Sequence, residues 1–346
     1  MAKQTDSMTI PELAFALTQH ADDLQMFANG VSMDAYGDFE QTEDAIMELI
    51  YQLYQKYADG NFEMEKETSE YLEKLKDKIS EIRENCFDEE EDELISQSRE
   101  VVKNESKFIK AFFIALTGKM AAGISSEWYT KISKYGIYNG GTIGQIFKKL
   151  SSGDVTRIYE AMINSLRNGT DLAGAREAVR SEMKKSARFV KSEIDSIING
   201  VANDVAMAFA AENSIMLLYS TALDDKVCDE CSRFQGRFFD ADSPDIPALP
   251  RHINCRCRYI PVPDDSSEYK KLDLPFSDYF AGLSEEEKEK RIGKEKYELA
   301  LTGEYELDDY ESPMPEQRVS MEELKERDKK IFLAATARKK ESETNA

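Results

Sequence analysis

Four cysteines and one histidine crowd into thirty positions of this 346-residue chain, and this cluster constrains the fold more than any other feature. The sequence reads C-D-E-C and, after a spacer, H-I-N-C-R-C, so that the cluster consists of Cys228, Cys231, His252, Cys255 and Cys257. Thiolate and imidazole are the ligands that Zn²⁺ takes in structural sites, and a C-x2-C pair places two of them on one tight turn. The spacing therefore predicts a knot held by a structural Zn²⁺ ion.

Five residues compete for the four positions of such a site. Cys255 and Cys257 lie two apart on an extended segment and point to the same side, which leaves open which of them binds the metal. Two disulfides are the alternative arrangement, as in small secreted domains. The first ten residues have no apolar core of signal-peptide length, which favours a metal. The fifth cysteine, Cys86, is interpreted as a free thiol.

The net charge of −22 is distributed unevenly. Residues 1–118 and 264–346 carry the acidic excess, and the segment between them is close to neutral. An acidic chain is a poor nonspecific ligand for nucleic acid, because that affinity comes from Lys and Arg. Two basic groups in the middle segment are interpreted as an ordinary solvated helix face and strand edge; they are Lys184, Lys185, Arg188 and Lys191, and Arg251, Arg256 and Arg258. No apolar run approaches the roughly 20 residues of a membrane helix.

Apolar residues recur at helical spacing over most of the chain before residue 214. We expect a first helix after the capping box Thr9–Glu12, a break at the glycines and Asp34, and an exposed turn at the acidic run 88–93. Asp154 and Thr170 are predicted to cap two further helices, and a long amphipathic helix is expected over 184–213. The last ten residues are expected to be frayed.

The period changes after this long helix, where 216–223, 237–239 and 256–262 have the composition of β-strands. The predicted fold class is therefore α+β and predominantly α-helical, with a helical bundle followed by a small antiparallel β-sheet pinned by the Cys/His knot. We expect three segments: an acidic helical arm over 1–118, a core with the knot over 119–263, and an acidic helical tail over 264–346. A narrow apolar stripe in the arm is expected to bind a partner or a second copy of the chain; it comprises Leu72, Leu75, Ile79 and Ile82.

The residues around the knot resemble the phage Mu F-like minor head, or head morphogenesis, proteins of tailed bacteriophages. The resemblance lies in a long helix, a strand ending in Leu223-Asp224-Asp225, the C-x2-C pair, R-F-Q-G at 233–236, and H-I-N-C-R-C with Pro261 after it. A helical lead-in over 169–183, and I-G-K at 292–294 followed by L-T-G at 301–303, are also similar. The resemblance covers about residues 120–300. Ile253 departs from it, because the family usually has proline at this position.

This resemblance implies a minor structural protein of the virion head that is associated with the portal vertex and acts in capsid assembly, with a link to genome packaging or ejection in some relatives. The implied partners are the portal protein and other head proteins, with packaged double-stranded DNA and a second copy of the chain as further candidates. The implied location is the virion head, and the host cytoplasm during assembly. Neither an enzymatic activity nor a membrane association is expected.

Two other functions fit a zinc knot: a zinc-bearing DNA-binding module, and a zinc-dependent nuclease or hydrolase. Catalytic zinc keeps one position open for water and has a general base nearby. Asp224 and Asp225 are candidates for such a base, whereas the remaining histidine, His20, is interpreted as a partly buried residue of a distant helix. Four or five ligands within one motif are enough to close the site, which favours a structural role.

Overall fold

Helices make up most of the chain in the computed structural model, which describes residues 7–57, 66–135, 141–221, 227–304 and 317–344. The elements before the sheet are α1 (Ile10–Gln41), α2 (Glu43–Lys56), α3 (Lys66–Thr117), α4 (Ser126–Tyr135), α5 (Ile143–Arg167) and α6 (Leu172–Asn213). The sheet region contains β1 (Met216–Ser220), α7 (Asp229–Ser232), β2 (Phe238–Asp240) and β3 (Arg258–Val262). A 3-10 helix (Ser267–Leu272) and α8 (Phe276–Ala281), α9 (Glu285–Ile292), α10 (Lys294–Thr302), α11 (Met321–Arg327) and α12 (Lys329–Thr344) follow. Among the described helices, none is long and apolar enough to span a membrane.

The chain divides into two compact units, each built from separated stretches of sequence. The sheet unit is formed by residues within 1–30, 97–140 and 195–346, and the helical unit by residues within 31–96 and 141–194. Helices α1, α3 and α6 each contribute residues to both units. The three segments expected in chain order, with boundaries at 118 and 263, remain a prediction about separable parts of the chain.

Parts of α2, α3, α5 and α6 form one hydrophobic core in the helical unit. Leu72, Leu75 and Ile79 are each less than 5% exposed in this core, and Ile82 packs against it. Their partners include residues of α2 and α5, namely Ile46, Ile50, Leu53, Val155, Ile158 and Met162. The prediction that the stripe binds a partner is wrong, because helices of the same chain cover it.

A buried ion pair joins α3 and α5 in the helical unit. Arg83 Nε donates to Asp154 Oδ2 at 2.6 Å, and both side chains are fully buried. Asp154 therefore lies inside α5 and does not cap a helix, contrary to the sequence prediction. The helix instead begins at Thr142, which forms a capping box with Gln145. The cap of α6 is likewise Asp171 in place of the expected Thr170, since Asp171 Oδ1 accepts from the Gly174 backbone N–H at 2.8 Å.

Two predicted interruptions are absent from the described helices. Helix α1 continues through Gly30, Asp34 and Gly37, and α3 continues through the acidic run 88–93. In α3, Phe87, Glu90 and Leu94 are all buried and lie on one face of the helix. The helix survives the run of like charges because this face packs inward, and glutamate has a high helix propensity.

The sheet has the strand order β2-β1-β3, and both pairings are antiparallel. Leu217 lies opposite Phe239 on one side and Pro261 on the other, and Tyr219 lies opposite Tyr259. The predicted α+β class, with a small antiparallel sheet after a long helix, is confirmed. The pairing of β1 with β3 brings together the segments before and after residues 232–251. It therefore places the two halves of the Cys/His cluster at one end of the sheet.

The last segment is also folded. Helix α12 continues to Thr344 and buries Ile331, Ala334 and Ala335, so the prediction of a frayed end is wrong over its described residues. Helices α8 and α9 form a small core of Phe276, Tyr279, Phe280, Leu283 and Ile292. Arg291 anchors this core to α1 by ion pairs with Asp22 and Asp23 at 3.2 and 2.9 Å.

Candidate metal centre

Two short turns present the five residues of the cluster. Cys228 precedes α7, and its carbonyl accepts from the backbone N–H groups of Cys231 and Ser232 at 3.1 and 3.0 Å. The second turn leads into β3, where the backbone N–H of Cys255 donates to the His252 carbonyl at 3.1 Å. Each turn therefore places two potential ligands side by side, as the C-x2-C and H-x2-C spacings predict.

The structure brings all five side chains together. Cys228 Sγ lies 3.2 Å and Cys231 Sγ 3.6 Å from His252 Nε2, and the Sγ atoms of Cys231 and Cys255 are 4.0 Å apart. A tetrahedral Zn²⁺ with its usual bond lengths separates two thiolates by about 3.8 Å, and a thiolate from an imidazole nitrogen by about 3.6 Å. These three separations are close to the edge lengths of such a tetrahedron, so the donor set fits a zinc ion.

Within the described residues, the ligand atoms form two overlapping groups with separations of at most 4.8 Å. Cys228, Cys231 and His252 form the first group, and Cys231, Cys255 and Cys257 form the second. Cys231 is shared, and it is buried together with Cys255 and Cys257, whereas His252 is exposed. All five cysteines of the chain are free thiols, so the structure favours the metal over the disulfide alternative.

The two cysteines that the sequence could not distinguish have different surroundings. A hydrogen bond from Cys257 lowers the pKa of the Cys255 thiol to about 5, against the opposing effect of burial. The same hydrogen bond, together with burial, raises the pKa of Cys257. Both thiols are buried and lie within 4.8 Å of the Cys231 sulfur, so either one is close enough to complete the ligand set.

Helix α6 holds the second turn in place through two polar side chains. Ser196 Oγ accepts from the backbone N–H of Asn254 at 2.9 Å, and Asn254 has a φ of 60°, in the left-handed region that asparagine tolerates. Asn203 Nδ2 donates to the Cys257 carbonyl at 3.1 Å, and Asn203 Oδ1 accepts from the Tyr259 N–H at 2.9 Å. Neither Ser196 nor Asn203 was predicted from the sequence. The sequence feature that could have identified them is a polar residue within the otherwise apolar face of a predicted helix.

An aromatic cluster supports the first turn. The ring of Tyr219 lies 5.6 Å from that of Phe234 and 5.7 Å from that of Tyr259. Gly236 has a φ of 68°, and its N–H donates to the Tyr219 carbonyl at 2.9 Å. The R-F-Q-G sequence therefore has a structural reason: Phe234 packs on the sheet, and glycine supplies the turn that brings the chain back to β2.

Residues 156–260 match the family model described as Phage Mu protein F like protein. The chain carries a phage Mu F-like region. This match confirms the predicted resemblance. It contains the second half of α5, all of α6, strands β1 and β2, the first residues of β3 and all five residues of the Cys/His cluster. The match supports a phage Mu F-like head morphogenesis protein, and it covers less than a third of the chain. Comparison with curated proteins and with solved structures gives no match.

Three other residues were considered in the sequence analysis: Asp224, Asp225 and Cys86. None of them is part of the Cys/His cluster in the described structure. Asp224 and Asp225, the candidate general bases, fall with Leu223 outside the described residues. Cys86 is buried in α3, and burial raises the pKa of its thiol to about 12. The prediction of a free thiol at this position is confirmed.

His20 is a buried charged residue of the sheet unit. Its ring is stacked on Phe108, with Nε2 2.8 Å from Glu105 Oε1 and Nδ1 2.9 Å from Asp328 Oδ1. Burial opposes the imidazolium, but Asp328 and Glu105 raise the pKa of His20 to about 10. This histidine is fully engaged in joining α1, α3 and α11–α12, so it is more deeply buried than the sequence suggested and unavailable as a general base.

Proposed function

We propose that this chain is a minor structural head protein that acts at the portal vertex during capsid assembly, and that its Cys/His cluster holds one structural Zn²⁺ ion. The observation that carries the proposal is the coincidence of the Mu F-like match with the convergence of the five cluster residues at one end of the sheet. A small three-stranded sheet buries little apolar surface, so a metal bound to both turns supplies stability that the sheet by itself lacks.

The ligand set that best fits the geometry is Cys228, Cys231, His252 and Cys255. These residues share the three short separations of 3.2, 3.6 and 4.0 Å. The His252 Nδ1 atom lies 2.9 Å from the Ile253 carbonyl oxygen, which orients the ring with Nε2 towards the sulfurs. When bound, the ion would cross-link the turn after β1 to the turn before β3. Four protein ligands close a tetrahedral site, and such a site serves structure in preference to hydrolysis.

The contacts of the basic residues do not favour the DNA-binding alternative. Arg258 Nη1 and Nη2 donate to the Leu17 carbonyl and to Thr18 Oγ1 at 2.9 and 3.2 Å. The Arg251 guanidinium lies 4.9 Å from the centre of the Phe234 ring. Both side chains therefore contact groups of their own chain. These contacts account for the two arginines without a nucleic-acid phosphate as their partner.

The metal part of the proposal is tested by metal analysis of protein purified without chelator. We expect about one zinc per chain in the wild type and in Cys86→Ser, and loss of zinc in Cys228→Ser. Zinc-free wild-type protein with an intact sheet would contradict a structural metal. Cys86→Ser is the matched control, because it removes a buried cysteine of the helical unit.

The assembly part of the proposal is tested by co-expression with the portal protein of the same phage, followed by purification through a tag on the portal. We expect the chain to co-purify, and we expect Cys228→Ser to weaken this association if the sheet forms part of the contact. Failure of the wild-type chain to co-purify with portal, and its absence from purified heads, would contradict the assignment to the portal vertex.

A further inference from the structure

Helix α6 exposes an aromatic side chain within a basic segment of the helical unit. Phe189 is 55% exposed, and residues 184–191 around it contain four basic residues and no acidic residue. Lys184 and Lys185 are exposed on the preceding turn. Lys185 pairs with Glu182 at 2.7 Å, but such an exposed pair is weak and leaves the ammonium group accessible. Because aromatic residues are enriched in protein interfaces, Lys184, Lys185 and Phe189 form a candidate contact surface, the basic surface.

The opposite charge is concentrated on α3 of the same unit. Residues 81–93 contain eight acidic residues and one basic residue, Arg83, which is fully buried. Asp88 and Asp92 are exposed, and they lie on the same side of the helix as the half-buried Ile95. These three residues form the acidic surface, which presents carboxylates beside a partly accessible apolar side chain.

Contacts along the bundle show which helices are neighbours. The buried ion pair of Arg83 with Asp154 joins α3 to α5. Helix α5 in turn contacts α6, where Arg157 Nη2 donates to Ser186 Oγ at 2.8 Å. Helix α5 therefore lies between α3 and α6 on one side of the helical unit.

Helix α2 lies between the same two helices on the other side. Arg180 of α6 forms an ion pair with Glu43 of α2 at 2.7 Å. Lys56 of α2 has its ammonium group 3.7 Å from the centre of the Tyr71 ring of α3. The order around the bundle is therefore α2, α3, α5, α6, which makes α3 and α6 diagonal. Their solvent-exposed faces, and with them the acidic and basic surfaces, lie on opposite sides of the unit.

This arrangement decides which contact between two copies is favourable. A two-fold contact through the basic surface alone would bring like charges together, which is costly. A head-to-tail contact brings the basic surface of one copy to the acidic surface of the next. The net charge of −22 makes whole chains repel one another at long range. The Debye length of about 8 Å at physiological ionic strength screens that repulsion more than it weakens close pairs.

We propose that copies of this chain associate head to tail, with the basic surface of one copy on the acidic surface of the next and Phe189 against Ile95. The occupant is a second copy, because the chain itself carries both the opposite charge and the apolar group that the basic surface requires. Each added copy leaves one surface of each kind unpaired, so association continues past a dimer until a ring closes. The contact is independent of the Cys/His cluster, which belongs to the sheet unit.

The experiment is sedimentation velocity of the full chain over a range of concentrations at about 0.15 M salt. We expect the mass of the wild type to rise past that of a dimer, and Phe189→Ser to weaken association by about 10-fold or more. Lys184→Glu with Lys185→Glu should be monomeric, and so should Asp88→Lys with Asp92→Lys. An equimolar mixture of these two charge-reversed proteins should associate again, because each retains the surface that the other has lost.

Lys339→Glu with Lys340→Glu is the matched control, because it makes the same change of charge at an exposed end of α12 in the sheet unit. This protein should sediment as the wild type does. A wild-type chain that stays monomeric up to its solubility limit would overturn the inference. Charge-reversed proteins that associate like the wild type, or that fail to associate when mixed, would overturn the head-to-tail contact as well. All these outcomes leave the zinc site untouched, since metal analysis tests it separately.

Discussion

The side-chain amide of Asn203 in α6 donates a hydrogen bond of 3.1 Å to the backbone carbonyl of Cys257, directly before β3. The oxygen of the same amide accepts from the N–H of the Tyr259 backbone, so one side chain binds a backbone acceptor and a backbone donor at the start of β3. Helix α6 is thereby joined to the segment that carries three of the five cluster residues. The Mu F-like region is held together by this contact as well as by any metal.

Replacement of Asn203 should destabilise the sheet unit. Asn203→Ala leaves the Cys257 carbonyl and the Tyr259 N–H without partners in a buried site, and each such group costs about 1–3 kcal/mol. We expect a lower midpoint in urea unfolding and weaker metal binding. Asn164→Ala, at an exposed position of α5, is the control and should leave both quantities unchanged. Equal stability of Asn203→Ala and the wild type would show that the two hydrogen bonds of Asn203 are dispensable.

Removal of the metal should unfold the sheet before the helices of the helical unit. Binding free energy at a structural zinc site is folding free energy, and the sheet has only three short strands. A chelator should therefore increase amide hydrogen exchange in 216–220 and 258–262, and leave exchange in α5 unchanged. Protection of both strands after complete zinc removal would contradict this expectation.

Glu90 should make the stability of the helical unit depend on pH. Burial, followed by the hydrogen bond with Asp38, raises the pKa of Glu90 to about 7. A raised folded-state pKa means that the contribution is complete below the unfolded pKa near 4.5 and is lost as the pH rises through about 7. Glu90→Gln mimics the protonated form, so it should stabilise the chain at pH 8 more than at pH 5. Glu89→Gln, at the exposed neighbouring position, should not.

His20 should contribute a second pH dependence, at higher pH. Its pKa is raised from 6.5 to about 10 by Asp328 and Glu105, against burial. The stabilisation is therefore complete below about pH 6.5 and is lost as the pH rises towards 10. We expect the denaturation midpoint of the wild type to fall over this range, and that of His20→Gln to be lower at pH 6.5 and to vary less with pH. Parallel curves for the two proteins would contradict an imidazolium at this position.

The stripe on α3 should behave as a core and not as a binding surface. Ile79 is fully buried against α2 and α5, so Ile79→Ala should cost about 2–4 kcal/mol of folding free energy. Lys78→Ala, at the exposed neighbouring position, should have little effect. A normal unfolding midpoint for Ile79→Ala, together with lost binding to a head protein, would restore the stripe as an interface.

The sequence was sufficient to predict the features that depend on local spacing. The C-x2-C and H-x2-C spacings determine which ligands share a turn. Apolar periodicity identified the 184–213 part of α6 and the change to strands after residue 213, whereas α6 is one helix that begins at Leu172. The residues of the Mu F-like match could be recognised for the same reason, because its motif is a short run of chemically distinctive side chains. Helix ends at Asp34, 88–93 and 154 were predicted wrongly, since polar and charged residues there are tolerated inside helices by tertiary contacts.

Only the tertiary structure decided what those side chains face. Arg83 neutralises Asp154 inside the helical unit, and the stripe on α3 is covered by helices that lie far from it in sequence. The surroundings of Cys257 also come from the fold, because Asn203 reaches its backbone carbonyl from α6. Local sequence specifies which groups are available, whereas burial and pairing depend on residues brought together by the whole chain.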